Sequence, residues 1–187
     1  AKTDRLAQWL MAQPWCGALL ASDSAGQIEG TLPISLIGMQ GPRGPELAMS
    51  FRWDSRANEN GFPGFAYSTS SSAGLGQHGS MSKHELRNTG IVGGPSFKSG
   101  VTIDTPSGNI DIAPTILRIL GHDGGESMDG RVLEEALVAG SGDIEASTET
   151  HSAERTLTTG VFRQHVTLSK VGDTVYVDEG NSEFGPA

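Results

Sequence analysis

The densest chemistry in the chain lies in one stretch, Gly76-Gln77-His78-Gly79-Ser80-Met81-Ser82-Lys83-His84-Glu85-Leu86. Gly76 and Gly79 let the backbone turn sharply and keep bulk away from the imidazole of His78. A ring presented in this way is a candidate metal ligand, because imidazole suits zinc and similar ions. The same residues also describe a surface histidine in a turn, since a metal site needs several ligands. Immediately downstream, Ser82-Lys83-His84-Glu85 carries the S-x-x-E spacing of a capping box, which predicts a short helix over Lys83 to Arg87. His84 falls on that helix and is expected to face solvent.

The rest of the chain must position this loop. At 187 residues it fits one domain or a large part of a bigger one. Hydrophobic content of 36% and a mean hydropathy of −0.25 suit a soluble protein, and 26 glycines predict many tight turns. The net charge of −9 argues against a nucleic-acid surface, which needs a basic footprint. No apolar run approaches the ~20 residues of a bilayer crossing. An acidic protein handling an anionic substrate needs local positive charge, and a bound metal is one source of it.

The single Cys16 has no internal disulfide partner. Within Trp15-Cys16-Gly17-Ala18-Leu19-Leu20 it reads as a small buried residue rather than a nucleophile. Cysteine usage leaves the compartment open, and a periplasmic or secreted setting is favoured over the cytoplasm. Ala1 is expected to be a mature, trimmed or excised end.

Taken in order, Thr3 is expected to cap a helix from Asp4 to Ala12 that buries Leu6, Trp9 and Leu10. Gly17 to Ser22 predicts a buried strand, and Leu32 to Gly38 a short helix. Glu46 to Trp53 alternates as a strand, with Leu47, Met49, Phe51 and Trp53 on one face. A brief strand is expected at Phe65-Ala66-Tyr67, then a mobile Ser/Gly loop over 69–76 leading to His78. Further strands are predicted at Thr89 to Pro95 and Val101 to Ile103. Asn109 to Leu120 is the clearest helix, with Ile112, Ile116, Ile119 and Leu120 on its apolar face, Asp111 as N-cap and Gly121 as its stop. That gives Asp111 a structural role in preference to a metal role. A second helix is predicted over Arg131 to Ala139. Residues 1–139 therefore read as one α/β portion, 140–156 as a polar loop and 157–187 as a terminal β-hairpin. In that hairpin Val166 and Leu168 face one way, as do Val175 and Val177. Several apolar elements want a partner surface, which suggests an incomplete domain.

Beyond Gly76 the chain resembles the carboxy-terminal part of the alkaline phosphatase superfamily, in its type I phosphodiesterase/nucleotide pyrophosphatase branch. The resemblance rests on an ordered set: Gly76-Gln77-His78-Gly79, Gly94-Pro95-Ser96-Phe97-Lys98, Asp111-Ile112-Ala113-Pro114-Thr115-Ile116-Leu117, Leu120-Gly121 and Met128-Asp129-Gly130-Arg131. It implies an alkaline-phosphatase-like α/β fold, here the carboxy-terminal portion of a larger mixed-sheet domain. It also implies a two-zinc hydrolase of phosphate esters, with a Thr or Ser nucleophile and with His78 as one late metal ligand. The nucleophile, the early Asp ligand and the D-x-x-x-H and D-H pairs of the family have no match here. The implied partner is an amino-terminal half of the same enzyme, as a separate or missing segment, with a phosphate ester as substrate. The chain alone is expected to be inactive. A non-catalytic interaction role for a degenerate homologue, or a sulfatase or phosphonate hydrolase of the same superfamily, stands as the alternative.

Overall fold

The structure, a computed structural model, describes residues 2–68, 78–142 and 144–186. It is a mixed α/β chain with three small sheets in which strands predominate, in agreement with the expected class. The chain divides into two compact units: Ala1–Asn88 with Thr150–Thr167 and Val177–Ala187, and Thr89–Glu149 with Leu168–Tyr176.

The first unit opens with α1 (Lys2–Met11) and the fully buried strand β1 (Cys16–Ala21). An unbroken apolar run with no polar alternation buries both faces of a strand, and β1 sits in the middle of its sheet. It pairs in parallel with β2 (Leu32–Pro33) and antiparallel with β3 (Leu47–Phe51). The predicted helix at Leu32 to Gly38 is this short strand followed by a 3-10 turn, Ile34–Ile37. The strand expected over Glu46 to Trp53 breaks at Arg52. Beyond the break, β4 (Trp53–Ala57) pairs with β5 (Pro63–Ala66) as a separate sheet.

The core of this unit gathers Ala7, Met11, Cys16, Leu19, Ala21, Ile28 and Phe162. Full burial of a large apolar side chain contributes about 1.5–3 kcal/mol. The inward face of α1 is therefore Ala7 and Met11, not Leu6, Trp9 and Leu10: Leu6 and Trp9 are about half exposed, and Leu10 is only partly buried. Alanine lets the helix approach β1 closely, while Trp9 packs its edge on Trp15 from outside the core. Thr3 lies inside the helix and donates to Glu46 Oε2 (2.7 Å) instead of capping it. The helix is held by Arg155, which donates to Asp4 Oδ1 at 2.8 Å. Gln164, buried in the same unit, uses its amide like a strand residue: Oε1 accepts from the Leu19 N–H (2.7 Å) and Nε2 donates to the Leu19 carbonyl (2.9 Å).

In the second unit, α3 (Ile112–Leu120) is entered through a 3-10 turn, Asn109–Asp111, and ends at Gly121; α2 (Lys83–Leu86) belongs to the first unit. The apolar face predicted to be buried points outward: Ile112, Ile116 and Leu120 are exposed, and Pro114 and Thr115 are the buried positions. The strands predicted at Thr89 to Pro95 and Val101 to Ile103 are absent, and Ile91 is 90% exposed. Glycine and proline around these short apolar runs favour turns over ladder pairing. Of the helix predicted over Arg131 to Ala139, only a 3-10 turn at Glu134–Ala136 forms.

A third sheet, in the order β6-β7-β8, is built from β6 (Ala146–Leu157), β7 (Gly160–Val171) and β8 (Thr174–Gly185). Its two-residue links admit only antiparallel pairing. The segment expected to be a polar loop over 140–156 is instead a strand from Ala146 onward. Threonines and alternating exposure let a polar segment serve as a half-solvated edge strand. The terminal hairpin is present but longer than expected, and on β8 the buried positions include Thr174, Tyr176, Gly180 and Ser182 rather than Val175 and Val177.

Candidate functional site

His78 is exposed, and the segment that follows it is clamped. Gly79 takes φ +86°, the left-handed conformation that the sequence assigns to a glycine here. Ser80, Met81 and Ser82 are all buried. The Met81 N–H donates to Ser50 Oγ (2.8 Å), and its carbonyl accepts from the Gly180 N–H (2.8 Å). The loop thus returns to β3 on one side and β8 on the other within three residues of the imidazole. Gly76 and Gln77, and the loop over 69–76, lie outside the described residues.

The predicted capping box forms with altered partners. Ser82 Oγ accepts from the His84 N–H (3.3 Å) and caps α2. Glu85 reaches past Ser82 to the Ser80 N–H (3.2 Å), because the Ser82 N–H is already held by Ser80 Oγ (3.1 Å). His84 is exposed as expected, yet it is oriented: Nε2 lies 3.1 Å from Ser55 Oγ, and the ring sits edge-on to Trp53. Gly64 makes room for it, since a Cβ there would fall 2.8 Å from that of His84.

His78 makes no hydrogen bond or ion pair with a described residue, and among the described residues no group of three or more His, Cys, Asp or Glu could hold a metal ion. Catalytic zinc takes about three protein ligands. The described residues therefore do not fit a zinc centre by themselves, and His78 is at most one donor toward one.

The other motif residues converge on a different place, within the second unit. Asp111, fully buried, accepts from the Gly108 N–H (2.8 Å), the Arg131 N–H (2.9 Å) and the Tyr176 hydroxyl (3.0 Å). Three donors occupy the carboxylate, so its role is structural. It is not the side-chain cap of α3 that the sequence suggests, because its bonds run back to Gly108 and across to Arg131. Arg131 forks onto both carboxylate oxygens of Glu135, and also donates to Tyr176 Oη (3.0 Å) and the Pro106 carbonyl (2.9 Å). Lys98 Nζ donates to the Glu135 carbonyl (2.9 Å), and Thr115 Oγ1 accepts from the Leu133 N–H (3.0 Å). The G-P-S-F-K, D-x-x-P-T and M-D-G-R segments thus interlock around one buried carboxylate.

These surroundings shift the titrations. Burial, and then the hydrogen bond to Asp111, pushes the Tyr176 phenol up to about 12. Burial alone would raise Glu135, but its bonds to Arg131 and the nearby Lys98 charge leave it below the usual carboxyl range. Cys16 is buried and its thiol is pushed up to about 12, so it is no nucleophile near neutral pH.

Sequence reasoning missed Tyr176, Glu135 and Gln164. Glu135 lies four residues after Arg131, a pairing signal that was open to reading. Nothing in the local pattern marks Tyr176 or Gln164, whose partners are 65 and 145 positions away. No family model, no curated protein and no solved structure matches the chain.

Proposed function

We propose that this chain is the carboxy-terminal part of a metal-dependent phosphoric ester hydrolase of the phosphodiesterase or nucleotide pyrophosphatase type. In this reading it supplies His78 as one metal ligand, and other polypeptide supplies the nucleophile and the remaining donors. The observation that carries the reading is an exposed imidazole set directly before a buried, doubly anchored segment, Ser80–Ser82. Such an arrangement anchors the backbone just beyond the imidazole, and no described residue bonds to either ring nitrogen. Further support comes from the convergence of the three downstream motif segments on Asp111, which gives each of them a reason to have its residue types.

The outward apolar face of α3, with Ile112, Ile116 and Leu120, also favours a second reading, a non-catalytic piece whose work is association. One experiment separates the two. The chain with added zinc is expected to hydrolyse bis(p-nitrophenyl) phosphate no faster than buffer does. Combined with a polypeptide carrying the Thr or Ser nucleophile and the Asp/His donors, it is expected to turn the diester over. His78→Ala in that assembly is expected to lose bound metal, measured by elemental analysis. An assembly that forms without hydrolysing favours the association reading. Undiminished metal and rate in His78→Ala overturn the ligand assignment.

A further inference from the structure

A groove of about 1040 Å3 lies within the first unit, along β4, β6, β7 and β8. Its volume is at the upper end of small-molecule sites. In a chain of net charge −9, three of the nine arginines, Arg52, Arg56 and Arg163, line this one place. Asp54, Glu154 and Glu183 line it too. Arg56 is occupied by Asp54 at 2.6 Å, and Arg163 faces Glu154 at 3.3 Å in an exposed pair. The Arg52 guanidinium acts on Asp54 through its charge without bonding to it, and neither it nor the Glu183 carboxylate makes a hydrogen bond or close ion pair with a described residue.

That balance restricts what fits. A highly charged anion would meet three carboxylates, and a cation three guanidiniums. A guanidinium whose N–H groups are unbonded suits one carboxylate or phosphate group, which it holds through two parallel bonds. A carboxylate without a partner accepts from hydroxyls. Tyr67 adds a partly exposed ring to the wall. Behind the lining the strands are locked: the Trp53 indole N–H donates to the Gly180 carbonyl (2.8 Å), Asn181 Nδ2 to the Trp53 carbonyl (2.7 Å) and Ser182 Oγ to the Cys16 carbonyl (2.6 Å). The groove therefore exists before any ligand arrives, which lowers the ordering cost of binding.

We propose that this groove binds a small anionic polyol, a sugar ring carrying one carboxylate or one phosphate group. The ligand's anionic group sits on Arg52, with Arg163 released from its solvent-exposed partner to assist, and its hydroxyls donate to Glu183. The site is separate from the His78 reading and does not depend on it.

The test is a titration of the 15N-labelled chain with glucuronate, glucose 6-phosphate and glucose, followed by amide shifts. One or both charged sugars are expected to shift β4 and β7 amides saturably, and which of them binds tighter identifies the anionic group. Glucose is expected to bind about tenfold or more weakly, as loss of a charge-assisted pair implies. Arg52→Gln is expected to weaken the charged sugar by about tenfold, and Arg163→Gln by less. Arg43→Gln, exposed and outside the groove, is expected to bind as the parent does. If Arg52→Gln loses its dispersed spectrum, Arg163→Gln carries the test. Saturation by none of the three sugars, glucose binding as tightly as the charged sugars, or unchanged affinity in the folded arginine variants overturns the proposal.

Discussion

The first unit buries Phe162, Met11, Leu19 and Leu20 among other apolar side chains, whereas the centre of the second is the carboxylate of Asp111 with Arg131, Glu135 and Tyr176 around it. In the second unit the large apolar groups of α3 face outward instead. An apolar core tolerates small shifts in geometry, because dispersion and burial have no preferred direction. A buried ionic hub does not. Each member satisfies a neighbour, and removing one leaves a desolvated charge or an unpaired donor. The second unit buries Leu137, Leu168 and Val171 as well, but the contrast teaches that it adds to them a hub specified by hydrogen-bond geometry, and it can be broken from either side.

The largest effect is expected in the apolar unit. Phe162→Ala is expected to cost about 3–5 kcal/mol, the usual range for emptying a buried aromatic site, read from urea denaturation. It should also open Cys16, which shares that cluster, to thiol labelling. A loss below about 1 kcal/mol would mean that the cluster is not what holds this unit together.

Next comes the hub. Asp111→Asn keeps the shape but presents an amide where three donors converge, and it is expected to cost about 2–3 kcal/mol. Cys16 should stay better protected in this variant than in Phe162→Ala. Equal labelling in both would show that the two units unfold as one, and the comparison would lose its force.

The smallest effect is a pH dependence. Tyr176 is held in its neutral form, with a folded-state value of about 12 against an ordinary 10. Its contribution is complete below about pH 10 and is lost as pH rises toward 12. The chain is expected to lose stability across that window, and Tyr176→Phe to flatten the slope while weakening the protein modestly at neutral pH. A slope unchanged in Tyr176→Phe would move the alkaline transition to other groups.

Sequence signals that depend on neighbouring residues were legible. The apolar run of β1 announces a central strand, and S-x-x-E at Ser82 announces a helix start. Contrasts of size and polarity misled. In α1, tryptophan and leucine look like core residues, yet Ala7 and Met11 are inside: the small Ala7 permits close approach to β1, and Met11 fills the cluster with Cys16, Leu19 and Phe162. In α3, Ile112, Ile116 and Leu120 define an apolar face that the hub turns outward. For β6, a run of threonine, serine and glutamate hides a strand whose pairing is supplied by β7. At the candidate site, the G-P-S-F-K, D-x-x-P-T and M-D-G-R segments could be read directly. Their meeting around Asp111 could not, because Tyr176 arrives from a strand 65 residues later.

The amide of Gln164 bears on how the protein is made. It completes the bonding of Leu19 from 145 positions downstream, so β1 leaves the ribosome long before the side chain that satisfies it. At cellular elongation rates the delay is on the order of ten seconds. For that interval this apolar strand lacks the amide that completes its bonding, so its backbone is open to off-pathway pairing during synthesis.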